Sequence, residues 1–110
     1  MRSARILFKG EEAGILTQHD DGTFTYRYHN SWIIDDNKSP ISLTFPKSQQ
    51  EYHSNYIFPL FYNMLPEGAN KRVVCKTMRI DESDYFSILM TTAKYDAIGA
   101  ISVVKINEGP

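Results

Sequence analysis

The chain has 110 residues, of which 42% are hydrophobic and 13% are aromatic, and its formal net charge is −1. This length suits one domain with its own core, and the aromatic content excludes an intrinsically disordered chain. A near-neutral charge gives no overall attraction to nucleic acid or to an anionic membrane, so we expect neither as a direct partner.

Signals for redox chemistry and targeting are sparse. The single cysteine, Cys75, excludes an intrachain disulfide. The start, MRSARILFKG, has too few apolar residues for a signal peptide, and no apolar run approaches the roughly 18 residues that span a bilayer. We therefore expect a soluble, cytoplasmic protein that forms a single domain over residues 1–110.

The first half of the chain predicts β-structure. Residues 4–17 suggest a hairpin around the turn Lys9–Glu12, which combines glycine with charged residues. After a second turn signal, Asp20-Asp21-Gly22, residues 23–28 alternate polar and aromatic side chains. That period of two predicts a strand with its tyrosines and phenylalanine on one buried face.

Two further features complete the first half. Residues 41–45, ISLTF, alternate again before Pro46 and predict another strand. Trp32 is the only tryptophan. We interpret it as a core or loop anchor, with a role in an interface as the alternative, because tryptophan is enriched in binding hot spots.

The second half predicts helices. Residues 52–65 show helical spacing with Ser54 as N-cap, but Pro59 lies too deep for the first turn, so the helix could instead begin near Phe58. A second helix is predicted over Asn70–Ile80, with four cations on one side and four apolar residues on the other: Lys71, Arg72, Lys76 and Arg79 against Val73, Val74, Met78 and Ile80.

The last part of the chain predicts one more helix and one more strand. The acidic segment 81–84 is a favourable start for a third helix that continues through Met90. Residues 98–106 predict a final strand, and the polar tail 107–110 is expected to fray. Together the elements predict an α+β fold: a curved, mostly antiparallel sheet or a small partly open barrel, with about three helices in the C-terminal half.

The sequence shows no motif typical of metal binding, nucleophilic catalysis or nucleotide binding. His19, His29 and His53 are scattered and Cys75 has no nearby partner, so we expect no metal site. Neighbouring helix residues point apart, so His53 and Ser54 do not make a nucleophile and base. No nucleotide-binding loop is present. We expect no catalytic residues, no cofactor and no enzymatic activity.

The basic stripe of the second predicted helix has two interpretations. Arg72, Lys76 and Arg79 are typical of the solvated face of an amphipathic helix. The functional alternative is a contact to an acidic protein surface or, less well supported, to phosphates.

Several motifs, taken in order, resemble a known family. They are the 24–28 strand, Trp32, ISLTFP at 41–46, F-x-N-x-L-P-E-G at 61–68, DYFSIL at 84–89 and D-x-I-G-A at 96–100. In this order and spacing they resemble the N-terminal subdomain of HipA-like serine/threonine kinase toxins, over about residues 4–106. In those kinases a larger core that carries the ATP loop and the catalytic residues follows the subdomain.

The resemblance extends to the HipS-type antitoxins of HipBST systems. There a small stand-alone protein corresponds to this subdomain and inhibits a shortened kinase toxin, HipT, while a helix-turn-helix protein, HipB, binds DNA. The resemblance thus implies a non-enzymatic antitoxin that binds a HipA-like kinase. The predicted partner-binding residues are Leu65, Pro66, Glu67, Gly68, Asn70, Arg72, Lys76 and Arg79.

Two alternatives remain. The chain could be a structural subdomain that completes or activates a HipA-like kinase, or a co-repressor that acts with a helix-turn-helix protein. Its near-neutral charge and the lack of a helix-turn-helix pattern argue against direct DNA binding.

Overall fold

This computed structural model describes residues 1–92 and 100–106. They contain five strands and four helices. In chain order they are β1 (Arg2–Phe8), β2 (Glu11–Gln18), β3 (Phe24–Tyr28), α1 (Asn30–Ile34), β4 (Glu51–Ser54), α2 (Pro59–Tyr62), α3 (Gly68–Met78), α4 (Tyr85–Thr92) and β5 (Ile101–Lys105). The strands form one antiparallel sheet in the order β4-β3-β2-β1-β5. The α+β class is confirmed, as an open sheet and not a closed barrel.

The β1–β2 hairpin and strand β3 confirm the predictions for residues 4–28. Lys9 and Gly10 both have positive φ at the hairpin turn, and the register shifts at a bulge between Ile6 and Leu7. Strand β3 buries its alternating aromatic residues completely or almost so. They point into the same core as the apolar residues of the neighbouring strands, because residues opposite each other in an antiparallel pair share a face.

One aromatic-rich core lies between that face of the sheet and the segments that cover it. The Tyr26 ring of β3 stacks on Phe45 and meets Phe61 of α2 at a tilted angle, and Phe45 meets Phe58 edge-to-face. Ring pairs of this kind add to the stabilisation that apolar burial provides. The buried cluster comprises Ala4, Ile6, Ala13, Leu16, Phe24, Tyr26, Tyr28, Trp32, Ile41, Phe45, Phe58, Phe61, Phe86, Leu89, Met90, Ile101 and Val103.

Segment 41–45 is not a strand, so that prediction was wrong. The Phe45 amide donates to the Ser42 carbonyl and closes a turn, which leaves Leu43 fully exposed. The Tyr28 hydroxyl accepts a hydrogen bond from the Ile41 amide at 3.0 Å and donates one to the Phe45 carbonyl at 2.5 Å. One tyrosine therefore satisfies two of the backbone groups that a strand would pair with a neighbour, while the amides of Thr44 and Phe45 bond to Ser42.

The neighbouring Tyr26 hydroxyl contrasts with that of Tyr28. It is buried and has no hydrogen-bond partner among the described residues, and burial raises the pKa of Tyr26 far above its usual value. It lies against Gly14, where a Cβ atom would stand 2.7 Å from the hydroxyl and 2.3 Å from the Arg27 carbonyl oxygen. A side chain at position 14 would therefore displace the strand.

The predicted helix over residues 52–65 was wrong in its first half. Glu51–Ser54 form strand β4, which pairs with β3, and the Ser54 hydroxyl accepts from the Tyr56 amide instead of capping a helix. The helix begins at Pro59, with the extended residue Phe58 as N-cap, so the alternative start near Phe58 is confirmed. Proline suits this first position because it lacks only an amide that would have no partner there.

Helix α1 was missed because it has only five residues and lies between polar segments. It places Trp32 in the core at 4% exposure, with the indole N–H donating to the Ser39 carbonyl at 2.9 Å. The Trp32 ring also meets Phe8 edge-to-face. The interpretation of Trp32 as a core and loop anchor is confirmed.

The remaining elements follow the prediction with shifted ends. Helix α3 begins at Gly68 and ends at Met78, where Arg79 adopts a left-handed conformation. Strand β5 covers the middle of the predicted 98–106 strand. Residues 96–99 of the D-x-I-G-A motif and the tail 107–110 lie outside the described residues. In the described ranges no helix is long and apolar enough to cross a membrane.

Candidate partner-binding site

The turn between α2 and α3 carries the Leu65–Gly68 part of the predicted site. Leu65 and Pro66 are half-buried, whereas Glu67 and Gly68 are exposed. Glu67 is the extended N-cap residue of α3, and its side chain does not cap the helix. Gly68 has φ of +57°, a left-handed conformation that strains residues with a Cβ atom. The turn thus presents a carboxylate on a backbone that requires glycine next to it.

This turn forms one wall of a concave site of about 230 Å³, which we call the first hollow. Residues from the α2–α3 turn, from α3 and from α4 meet there. Its lining combines four predicted residues with three that the sequence analysis missed: Leu65, Pro66, Glu67 and Gly68 with Tyr62, Lys71 and Tyr85.

The three missed residues form a connected group. The rings of Tyr62 and Tyr85 meet edge-to-face, with centroids 5.8 Å apart and an interplanar angle of 85°. The Lys71 ammonium lies 5.4 Å from the centroid of the Tyr85 ring, within cation–π range. These residues come from three different helices, so only the tertiary structure brings them together. The signal in the sequence was an aromatic residue next to a core position, Tyr62 beside Phe61 and Tyr85 beside Phe86.

The other predicted residues do not line the first hollow. Arg72 and Lys76 line a separate, shallow concave site together with Cys75, Ile80, Asp81 and Glu82. Asn70 is exposed on α3, and Arg79 is exposed just beyond its end. The predicted set is therefore split between two neighbouring surfaces, one at the α2–α3 turn and one along α3.

Helix α3 buries few of its side chains. Cys75 is its one buried residue, while Val73 and Met78 are 63% and 54% exposed. The expected apolar side of the helix is therefore not a buried side. An isolated helix of this length is marginal in water, and helices usually gain stability by burying one face. Exposed apolar residues on α3 are thus available for contact with another molecule.

The charges of α3 are also unbalanced. The helix carries Lys71, Arg72 and Lys76 and no acidic residue. None of these cations forms an ion pair within residues 1–92 and 100–106. A lysine in the first turn is unfavourable next to the positive end of the helix dipole. Local helix stability therefore does not explain Lys71, whereas an acidic partner surface would.

Asp84 fixes the position of Tyr85 by holding the start of α4. Its carboxylate accepts hydrogen bonds from the amide and the hydroxyl of Ser87, at 3.2 and 2.7 Å. The Arg2 guanidinium binds the same carboxylate through both of its terminal nitrogens, at 2.8 and 3.2 Å. Burial raises the pKa of Asp84, but the hydrogen bonds from Arg2 and Ser87 outweigh it, so the pKa lies below its usual value.

A polar chain on the sheet is the nearest approach to catalytic geometry. The Thr25 hydroxyl lies 2.7 Å from His19 Nε2 and 3.1 Å from His53 Nδ1, and His53 Nε2 lies 3.0 Å from Glu51. Thr25 is only 8% exposed, and it sits directly opposite His53 in the β3–β4 pair. Since a buried hydroxyl is out of reach of a substrate, we interpret the chain as a link across the sheet.

The described residues also contain no group of three or more His, Cys, Asp or Glu side chains that could hold a metal ion. Cys75 of α3 is buried, and its thiol is free. The described residues thus form a small α+β module with two neighbouring concave surfaces, one at the α2–α3 turn and one along α3.

Comparison with known proteins places this module in a family. Residues 4–104 match the HipA N-terminal domain family, and the chain therefore belongs to that family. A solved structure, the N-terminal domain of HipA toxin, superimposes with a TM-score of 0.73 and 30% identity, over 99% of this chain and 96% of that one.

Two curated relatives differ greatly in length. A protein of Haemophilus influenzae is 34% identical over 103 residues, which cover 94% of this chain and 92% of that protein. The putative kinase Y4mE of Sinorhizobium fredii is 24% identical over 110 residues, but these are only 26% of its length. The domain thus occurs both in a protein little larger than itself and as about a quarter of a putative kinase.

Proposed function

We propose that this chain is an antitoxin that binds a cognate HipA-like kinase of the HipT type and inhibits it without covalent chemistry. The observation that carries the proposal is the Haemophilus influenzae relative, 92% of which is covered by this domain. A domain that is joined to a kinase in one protein and stands by itself in another keeps the surface with which it meets the kinase.

The exposed features of the domain support this role. The first hollow lies next to the cations of α3. Lys71 contacts the Tyr85 ring, but Lys71, Arg72 and Lys76 form no ion pair in the described part of the chain. Unpaired cations beside exposed apolar residues are typical of a surface that recognises another protein. We assign the kinase contact to the predicted residues Leu65, Pro66, Glu67, Gly68, Asn70, Arg72, Lys76 and Arg79.

Inhibition requires no reactive group on this chain. An inhibitor can cover the nucleotide or substrate cleft, or hold a mobile loop of the kinase in an inactive arrangement. A helix-turn-helix protein of the HipB type is the proposed third component. It would supply DNA binding that the near-neutral charge of this chain does not favour.

The test is co-expression with the proposed cognate HipA-like kinase. Cells that produce the kinase should stop growing, and growth should return when this chain is produced as well. With purified proteins, phosphate transfer by the kinase should fall as the chain is added in stoichiometric amounts. Unchanged growth arrest together with unchanged phosphate transfer would refute the proposal.

Two charge variants locate the contact. Glu67→Ala and Arg72→Glu should weaken kinase binding without lowering the midpoint of thermal unfolding, because both side chains are exposed and unpaired in the described structure. Asp36→Ala and Lys105→Glu are matched controls at exposed positions elsewhere. If the two test variants lost stability and binding in parallel, these residues would belong to the fold and not to the contact.

A second candidate function rests on the putative kinase Y4mE, in which the matched region is part of the longer chain. Here the chain would complete a HipA-like kinase as a structural subunit and raise its activity. The same phosphate-transfer assay separates the two, since the antitoxin lowers the rate and the completing subunit raises it.

A further inference from the structure

A second hollow lies beside the first, and none of its lining residues was predicted as part of the site. It has a volume of about 420 Å³ and lies between the end of β2, the start of β3 and the segments before α2 and α4. Tyr62 and Tyr85 line both hollows, so the two form one continuous surface.

The second hollow is aromatic and uncharged. Its rings include Tyr56, which is 79% exposed, and Tyr62, which is 51% exposed, with Phe24 and Tyr85 beside them. The remaining lining residues are polar without charge, or apolar. Exposed tyrosines offer a rigid apolar surface with a polar tip, which suits the binding of an apolar side chain.

The first hollow is lined by charged residues and the second is not. Glu67 and Lys71 both line the first hollow, and Lys71 stands over Tyr85 with no ion pair in the described part of the chain. Asp21 adjoins Gly22, which lines the second hollow, whereas Asp81 lines the shallow site of Arg72 and Lys76. Hydrogen bonds from Thr23 lower the pKa of Asp21, and hydrogen bonds from Ser83 lower that of Asp81, so both carboxylates stay ionised at neutral pH.

We propose that the second hollow receives an apolar or aromatic side chain of the partner kinase, and that an acidic residue of the same kinase segment pairs with Lys71. The inference rests on the proposed antitoxin function and defines which kinase segment is recognised. The Lys71 ammonium lies 5.4 Å from the centroid of the Tyr85 ring, which lies 5.8 Å from that of Tyr62, and both rings line the second hollow. Since an extended chain covers about 3.3–3.6 Å per residue, the acidic residue lies two or three positions from the apolar one.

Binding measurements with the purified kinase test both halves of the proposal. Tyr56→Ala should raise the dissociation constant by about 10-fold or more, as expected for an aromatic hot spot. Lys71→Glu should slow association, and its effect should shrink at high salt, because salt screens the lost attraction. The Lys71 variant cannot act by melting α3, since an acidic residue is favoured in a first turn.

Matched control variants remove similar groups elsewhere. Leu43→Ala deletes a fully exposed apolar side chain, and Lys105→Glu reverses an exposed lysine on β5. Both should bind the kinase like the wild type. If Tyr56→Ala also binds like the wild type while the wild type inhibits the kinase, the hollow has no role and the antitoxin function stands. If the wild type does not bind the kinase, both proposals fail together.

Photo-cross-linking identifies the segment itself. Tyr56 is replaced by p-benzoylphenylalanine, and the cross-linked kinase peptide is determined by mass spectrometry. The expected peptide contains an apolar or aromatic residue two or three positions from Asp or Glu. A peptide without an acidic residue at that spacing, or no cross-link to a kinase that the chain inhibits, would overturn the proposal.

Discussion

Two adjacent tyrosines of β3 should respond in opposite ways to the loss of one oxygen atom. In Tyr28→Phe the Ile41 amide and the Phe45 carbonyl both lose their hydrogen-bond partner, and the Tyr28 hydroxyl that joined them lies in the core. Leaving a buried polar group unsatisfied costs about 1–3 kcal/mol, so we expect the free energy of unfolding to fall by about 2–4 kcal/mol. For a domain of this size the midpoint of thermal unfolding would drop by roughly 10 °C.

Tyr26→Phe is the matched variant, because it removes the same atom from the same strand. The buried Tyr26 hydroxyl has no partner among the described residues, so its removal takes away a desolvated polar group and breaks no hydrogen bond seen there. We expect a free energy of unfolding that is unchanged or higher by about 1 kcal/mol.

Urea unfolding followed by circular dichroism measures both variants. The slope of unfolding free energy against urea should match the wild type, since neither change alters the area exposed on unfolding much. Equal losses in the two variants would refute the reasoning, because the difference in hydrogen bonding would then have no energetic effect. A Tyr28→Phe protein as stable as the wild type would show that other groups hold segment 41–45.

Three further predictions concern the elements around the site. Asp84→Ala should lower the free energy of unfolding by about 1 kcal/mol through loss of the α4 cap, measured by urea unfolding at neutral pH. Folding lowers the pKa of Asp84, so its contribution to stability is present above about pH 4 and disappears as pH falls through the folded-state pKa. In Asp84→Asn the free energy of unfolding should therefore vary less with pH below about pH 4. Gly68→Ala should cost about 1–2 kcal/mol in the same urea assay, since φ is +57° although no atom of the described residues lies within 4 Å of the added Cβ.

The sequence predicted best where a local pattern decides the structure. Strand β3 has a period of two and is fully paired on both sides, so its buried aromatic residues were correctly predicted. Segment 41–45 shows the same alternation, but the Tyr28 side chain, distant in sequence, takes the backbone groups of the segment. Local pattern cannot reveal a partner of this kind.

The same limit applies to the β4 segment and to the site. Residues 51–54 have helical spacing, yet pairing with β3 outweighs that weak preference. Of the candidate site, the α2–α3 turn could be named from its Pro-Glu-Gly motif. Tyr62 and Tyr85 could not, because their ring contact depends on how α2 and α4 meet in space.

The order of the strands determines when, during synthesis, the sheet can be completed. Strand β4 lies at one edge of the sheet and β5 at the other, and the segment with α2, α3 and α4 connects them. Strand β1 gains its second neighbour only when β5 pairs with it, across more than ninety residues of chain. Contacts so distant in sequence form late in folding. A nascent chain that ends before Ile101 would leave β1 as an unprotected edge, so synthesis must pass β5 before the described sheet is complete.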